Sequence, residues 1–263
     1  MLHNARSKYH RAAIARLDRK VQAMIDQRRR DPGMTDDLLA RLLHARDAED
    51  ASFTGMSDRQ VRDEAVTLFI AGHETTATAL AWSFYLLARN PEWRARVQAE
   101  VDALPPGPIE FKSASKLDVT LRVFKETMRL YPPVDIIARR NLEAVTIGDI
   151  ALEAKSIVFI SPWIVHRHEA TWPDAERFDP DRFLKPPARS AWLPFSAGPR
   201  VCIGNHFAML EGPIVLATMM RAARFEIDAS RTVEPDAFAT LRPRGGIPAV
   251  VQLTRGQSAR ATA

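Results

Sequence analysis

Apolar residues recur at helical spacing over residues 7–30, where Ile14, Leu17, Val21, Met24 and Ile25 mark one face of an otherwise charged segment. Pro32 and Gly33 close that segment. Leu38, Leu39, Leu42 and Leu43 form the apolar face of a second, shorter helix over 36–46. Ser57-Asp58-Arg59-Gln60 is a capping box: the serine hydroxyl and the glutamine amide can each satisfy the other's free backbone N–H, so a helix opens there. The helical pattern then runs without proline to Asn90, where Pro91 ends it. Its middle is apolar nearly all round, which places such a helix through the interior of a protein. Pro91 to Ala103 and Lys116 to Tyr131 predict two further helices, separated by the Pro105-Pro106-Gly107-Pro108 loop and stopped by Pro132 and Pro133.

Beyond Pro133 the character changes. Val145 to Ile150 and Ser156 to Ile160 read as short strands. Residues 170–200 are rich in proline and aromatics with little periodicity, which predicts an irregular but packed segment. A helix resumes near Asn205 and runs to Arg221, and Phe225 to Ile227 with Pro248 to Leu253 predict a closing hairpin or small sheet. The expected fold class is mainly α with small β-sheets. No repeat, low-complexity stretch or linker divides the chain, so one domain is expected over 1–263.

Composition narrows the function classes. With 263 residues, 46% hydrophobic and 26% charged, the chain can bury a full core. The net charge is +5 and the pI about 9.6, yet the basic residues (Arg28, Arg29, Arg30, Arg41, Arg46) scatter along helical stretches without interleaved aromatics. That pattern is a solvated helix face rather than a nucleic-acid site, and the basic balance suits an acidic protein partner. A single cysteine, Cys202, excludes an internal disulfide and a cysteine-rich zinc site. It fits a reducing compartment, and a cytoplasmic location is the expectation. The longest apolar stretches, 65–72 and 77–88, are split by His73-Glu74-Thr75-Thr76, and neither reaches the ~20 residues of a spanning helix, so no membrane segment is expected in this chain.

The strongest chemical signal is Phe195-Ser196-Ala197-Gly198-Pro199-Arg200-Val201-Cys202-Ile203-Gly204. Gly198 and Gly204 can take conformations that bring backbone close to a flat ligand, and Pro199 stiffens the turn between them. Cys202 precedes a helix, where the dipole and free N–H groups favour a thiolate and can hydrogen-bond it. Arg200 can meet a ligand carboxylate. A lone cysteine is ordinarily a small buried apolar residue, and His206 at i+4 offers a nucleophile pair instead; neither accounts for the glycines and the arginine.

These ten residues resemble the haem-binding signature of the cytochrome P450 family, F-x-x-G-x-R-x-C-x-G, with every fixed position filled. Three further segments resemble that family in the right order. Ala71-Gly72-His73-Glu74-Thr75-Thr76 resembles its oxygen-activating motif, Glu126-Thr127-Met128-Arg129 its E-x-x-R pair, and Pro180-Asp181-Arg182-Phe183 its P-E-R-F element with aspartate for glutamate. The chain thus resembles the C-terminal half of the family fold: long central helix, E-x-x-R helix, irregular meander, cysteine loop, final helix and hairpin.

The resemblance implies haem b (iron protoporphyrin IX) with an axial thiolate from Cys202. Cofactor contacts would come from Arg200, Phe195, Gly198, Gly204 and Gly72, and from Arg139 or its neighbour Arg140, with the spacing favouring Arg139. Thr75 and Glu74 are the implied catalytic residues, holding dioxygen and relaying its protons. Without the resemblance, Thr75 could equally bond back to a carbonyl one turn earlier and Glu74 pair with an arginine. Glu126 and Arg129 would be scaffold, locking onto Arg182. Substrate contacts would come from Phe69, Ile70 and His73, from Val134 to Ala138, and from Phe238 to Thr240; Asp135 is an odd charge in that wall and faces either cavity or solvent.

The implied activity is insertion of one atom of dioxygen into an apolar small-molecule substrate. The implied electron donor is a ferredoxin-, flavodoxin- or diflavin-type partner. Two alternatives stand beside it: a non-catalytic helical remnant that does not retain haem, and a peroxide-driven or isomerase enzyme on the same ligand set. The earlier helices of the family have no counterpart here, so the chain as given is expected to bind haem weakly or not at all and to turn over no substrate.

Overall fold

The computed structural model describes residues 2–31, 33, 36–45 and 55–254, the side chains of 2–10 excepted; Pro32 and Arg46 fall outside them. The chain divides into two compact units, residues 1–73 and 74–263, and the central helix contributes to both.

The first unit holds α1 (Leu2–Arg30), α2 (Leu38–His44) and the opening turns of α3 (Asp58–Arg89). Val21, Ile25 and Val61 are its buried centre, with Leu17, Leu39, Leu42, Leu43 and Val66 around them. Ile14 and Met24, also on the periodic face of α1, are exposed, so the buried stripe is narrower than the pattern suggests. Asp37 caps α2 by accepting from the Ala40 N–H at 3.0 Å. The capping box at the start of α3 is formed from both sides: Ser57 N donates to Gln60 Oε1 at 2.9 Å and Gln60 N to Ser57 Oγ at 3.3 Å.

In the second unit the rest of α3 packs with α4 (Pro91–Asp102), α5 (Asp118–Leu130) and α7 (Asn205–Ala222), the short α6 (Pro162–Val165) lying between α5 and α7 in sequence. Trp82, Leu87, Val97, Val101, Val123, Leu216 and Ala217 form the core, all nearly or fully removed from solvent. Pro91 at the first position of α4 forces the break that sequence periodicity placed there. The start of α5 is capped from a neighbouring helix: the Glu100 carboxylate accepts from Val119 N at 2.7 Å and Thr120 N at 2.9 Å, setting a negative charge on the helix N-terminus. A 3-10 turn, Phe111–Lys116, precedes it, so α5 begins two residues later than its pattern indicated.

Among the described residues the small sheets are four two-stranded antiparallel pairs. β1 (Ile137–Arg140) pairs with β4 (Ile157–Ile160), and its own short, half-charged sequence gave no strand signal. The single strand expected over 145–150 is instead a hairpin: β2 (Val145–Ile147) and β3 (Ile150–Leu152) fold about Gly148-Asp149, with Gly148 at φ +58°. The closing pair is β5 (Ala223–Glu226) with β8 (Val250–Leu253), and between them β6 (Pro235–Ala237) and β7 (Leu241–Pro243) form a hairpin absent from the sequence reading. The segment from 170 to 200 is irregular apart from 3-10 turns at Pro180–Leu184 and Gly198–Arg200, and Trp172, Ala175, Phe183 and Ala191 pack it into a small core of its own.

Candidate functional site

The foundation is the α5 pair Glu126 and Arg129, both fully buried. Arg129 Nε and Nη2 donate to the two carboxylate oxygens at 2.7 and 2.8 Å, a fork-to-fork pair. The remaining guanidinium hydrogens go to three carbonyls of the irregular segment: His166 O at 2.9 Å, Ala175 O at 2.7 Å and Arg177 O at 3.1 Å. Glu126 Oε1 accepts from Asp179 N at 2.9 Å, and Arg182 Nε approaches it to 3.6 Å. Burial holds the Glu126 carboxyl above its usual range against the pull of Arg129. The pair therefore organises the segment that carries the chain toward the cysteine.

His166 extends the same network to the cysteine loop. It is fully buried, its Nδ1 lies 3.2 Å from Arg129 O, and its Nε2 accepts from Leu193 N at 2.7 Å. Burial pushes its pKa down to about 4, so the ring is neutral, with the proton on Nδ1. Sequence reading overlooked this residue; a histidine between Val165 and Arg167 carries no signal of its own.

The loop itself closes by nested turns. Ser196 N donates to Leu193 O at 3.2 Å, Val201 N to Gly198 O at 3.0 Å, and Cys202 N to Phe195 O at 2.9 Å. Gly198 takes φ +74° and Ser196, without the freedom of glycine, φ +64°. Phe195 anchors the loop: with Trp192 and Met209 it packs against Ala79, Phe124 and Met128, placing it beside α3 one turn after Thr75. Cys202 is exposed, as are Gly198 and Arg200, while Gly204 is half-buried and a side chain there would stand 3.8 Å from the sulfur. Among the described residues no N–H donates to the sulfur, and the Cys202 amide donates to Phe195 O. Nor does a hydrogen bond join Cys202 to His206, which is exposed.

Arg139 reaches the same loop from β1, its Nη2 donating to Ser196 Oγ at 2.7 Å. Arg140 points to the other face of the strand and is exposed. The structure thus brings Arg139, Phe195, Gly198, Arg200, Cys202 and Gly204 together, and it separates Arg139 from its neighbour.

On α3, Gly72 and His73 are exposed, as are Phe69 and Ile70, and a Cβ on Gly72 would meet nothing within 4 Å among the described residues. Glu74 and Thr75 are half-buried. Among the described residues Glu74 has no arginine partner; its Oε1 accepts from Thr240 Oγ1 at 2.8 Å. Of the C-terminal stretch, Phe238 is 82% exposed while Thr240 is 6% exposed. Val134 and Ile136 are exposed, and Asp135 is half-buried with its carbonyl accepting from Ser161 Oγ at 2.9 Å. No helix among the described residues is long and apolar enough to cross a membrane.

Comparison with known proteins identifies the family and the fold. The family model for cytochrome P450 matches residues 1–247. Cyclooctatin synthase of Streptomyces melanosporofaciens is 40% identical over 213 residues, covering 79% of this chain and 46% of its own. Pentalenene oxygenase of Streptomyces avermitilis is 38% identical over 226 residues (84% and 50%), and cytokinin hydroxylase of Arabidopsis thaliana 35% over 266 residues (94% and 50%). The crystal structure of the cytochrome P450DA heme domain superposes with a TM-score of 0.87 at 29% identity, covering 97% of this chain and 57% of that one. The chain belongs to the cytochrome P450 family. It spans about half the length of the curated relatives it matches.

The family's prosthetic group is a haem, and the cysteine loop fits one. A single soft sulfur donor stands uncovered at the edge of an open turn, beside Ile203 and Phe207, which are 86% and 62% exposed. A cysteine is among the residue types most often buried, so an exposed thiol flanked along the chain by exposed Val201 and Ile203 leaves room for an apolar ligand at the sulfur.

Proposed function

We propose that the protein to which this chain belongs is a haem-thiolate monooxygenase acting on an apolar organic substrate. Cys202 would ligate the iron, with Phe195, Gly198 and Gly204 of the same loop as further contacts of the haem. Arg139 and Arg200 would receive the haem carboxylates as charge-assisted pairs. When bound, the haem supplies reductive activation of dioxygen, which no side chain of this chain can perform. Thr75 orients the oxygen-binding space by its hydroxyl, and Glu74 holds a proton at its carboxyl for delivery there. Electrons would come from a ferredoxin-, flavodoxin- or diflavin-type donor, for which the basic balance of the chain is suited, and the location would be cytoplasmic.

The observation that carries this reading is the uncovered Cys202 thiol in its closed turn, with Arg139 held against the same loop at 2.7 Å. The names of the Streptomyces avermitilis oxygenase and of the Arabidopsis hydroxylase support oxygen insertion in general. The test is the carbon monoxide spectrum of the reduced full gene product. The red-shifted Soret band of thiolate ligation is expected, and Cys202→Ala should abolish it; a band that survives the substitution overturns the assignment.

A further inference from the structure

Thr240 lies 166 positions from Glu74 in sequence, yet its hydroxyl donates to Glu74 Oε1 at 2.8 Å. The backbone around Thr240 leaves it little freedom. Its carbonyl accepts from Phe238 N at 3.3 Å and from Arg242 N at 3.0 Å, tightening the β6–β7 connection. The next residue, Leu241, is pinned on both sides: its N–H donates to Pro133 O at 2.9 Å, and its carbonyl accepts from Trp82 Nε1 at 2.7 Å. Trp82 sits two turns beyond Glu74 on α3 and is fully buried, stacked on Tyr131 at 3.9 Å. The hairpin tip is thus fastened to α3 through a core residue, and the threonine hydroxyl is presented to Glu74 from a rigid mount. Glu74 makes no ion pair among the described residues, so one neutral donor sets its rotamer and leaves Oε2 without a hydrogen-bond partner.

We propose that Thr240 is a positioning residue for Glu74: it fixes Oε1 so that Oε2 is the oxygen that takes up and hands on the proton. This rests on the role assigned to Glu74 above. A hydroxyl suits the task because it is neutral. An arginine there would hold the carboxylate permanently ionised and hinder proton uptake, whereas a hydroxyl accepts either protonation state of its partner.

The test uses the full gene product and four forms: wild type, Thr240→Val, Thr240→Ser and Glu74→Gln. In the first measurement the side-chain carboxyl carbons of glutamate are labelled with carbon-13 and Glu74 is identified by its loss in Glu74→Gln. Thr240→Val, isosteric but without a hydroxyl, should move the Glu74 resonance, and Thr240→Ser should restore it. In the second, the haem-loaded protein consumes dioxygen with electrons from a surrogate ferredoxin and its reductase, in light and heavy water. Glu74→Gln should slow consumption and enlarge the solvent isotope effect. Thr240→Val should reproduce a loss of about tenfold, the scale of one charge-assisted hydrogen bond, while Thr240→Ser stays near wild type. A Glu74 resonance unmoved in Thr240→Val, or normal consumption by Thr240→Val beside a slow Glu74→Gln, overturns the positioning role. Normal consumption by Glu74→Gln overturns the proton-carrying role of Glu74 itself, and the positioning role with it.

Discussion

The Leu193 N–H donates to His166 Nε2 at 2.7 Å, and through that ring the cysteine loop is tied to the last turn of α5. The bond needs a neutral imidazole, since a protonated Nε2 has no lone pair to accept with. With a folded pKa of about 4 against an ordinary 6.5, the unfolded chain takes the proton first as pH falls. Stability from this residue is therefore whole above about pH 6.5 and is lost as the pH drops toward 4, on the order of 3 kcal/mol in all. Urea unfolding between pH 7 and 4 should show that decline, and His166→Leu should be less stable at pH 7 but fall less steeply. Equal slopes would remove His166 from the account.

Arg129 serves five acceptors with one side chain, two carboxylate oxygens and three backbone carbonyls, and no lysine can replace a planar fork. Both Arg129→Lys and Arg129→Met should destabilise: the first loses the fork but keeps a charge, and the second, by about 4 kcal/mol, leaves Glu126 buried without its partner. Pairing Arg129→Met with Glu126→Leu should recover only part of the loss, since the carbonyls of His166, Ala175 and Arg177 stay unsatisfied. Denaturant midpoints of the three variants measure this; full recovery in the double variant would show that the carbonyl contacts add nothing.

Gly212, buried on α7, faces Phe124 of α5 so closely that a Cβ would overlap the ring. Phe124 has no room to swing, being packed by Ala79 and Met128. Gly212→Ala should destabilise by about 2 kcal/mol despite the gain in helix propensity, and Gly212→Ala with Phe124→Leu should regain part of it. Thermal melts of the single and double variants decide.

Ser196 sits at φ +64°, a conformation that costs a non-glycine residue about 1 kcal/mol. Ser196→Gly should leave the melting temperature unchanged or raise it, yet release Arg139. Haem should then leave the full gene product faster when an apo-globin is offered as acceptor. Unaltered haem release would mean that Arg139 needs no support from this loop.

Much of the helical framework was legible because its punctuation is local. Pro91 broke α3 from α4, and the Ser57–Gln60 capping box formed from both sides as read. The ten residues from Phe195 to Gly204 carried the loop by their types alone. What stayed hidden depends on partners far away in sequence. Ile137–Arg140 is a strand only because Ile157–Ile160 lies beside it, and Val145–Ile150 splits because Gly148 supplies a positive φ in the middle of an otherwise plausible run. An arginine partner is the alternative the sequence offers for Glu74, but among the described residues its donor is a threonine near the other end of the chain. The His166 bridge was equally invisible, since nothing in a sequence says which backbone amide a buried ring will accept from.

The stretch from His166 to Arg177 has little regular structure, yet a single guanidinium gathers three of its carbonyls. Its order is therefore borrowed. When α5 frays or melts, this stretch has no ladder of its own to fall back on, so its amides should exchange with heavy water at the rate set by opening of the helix rather than at the pace of an ordinary loop.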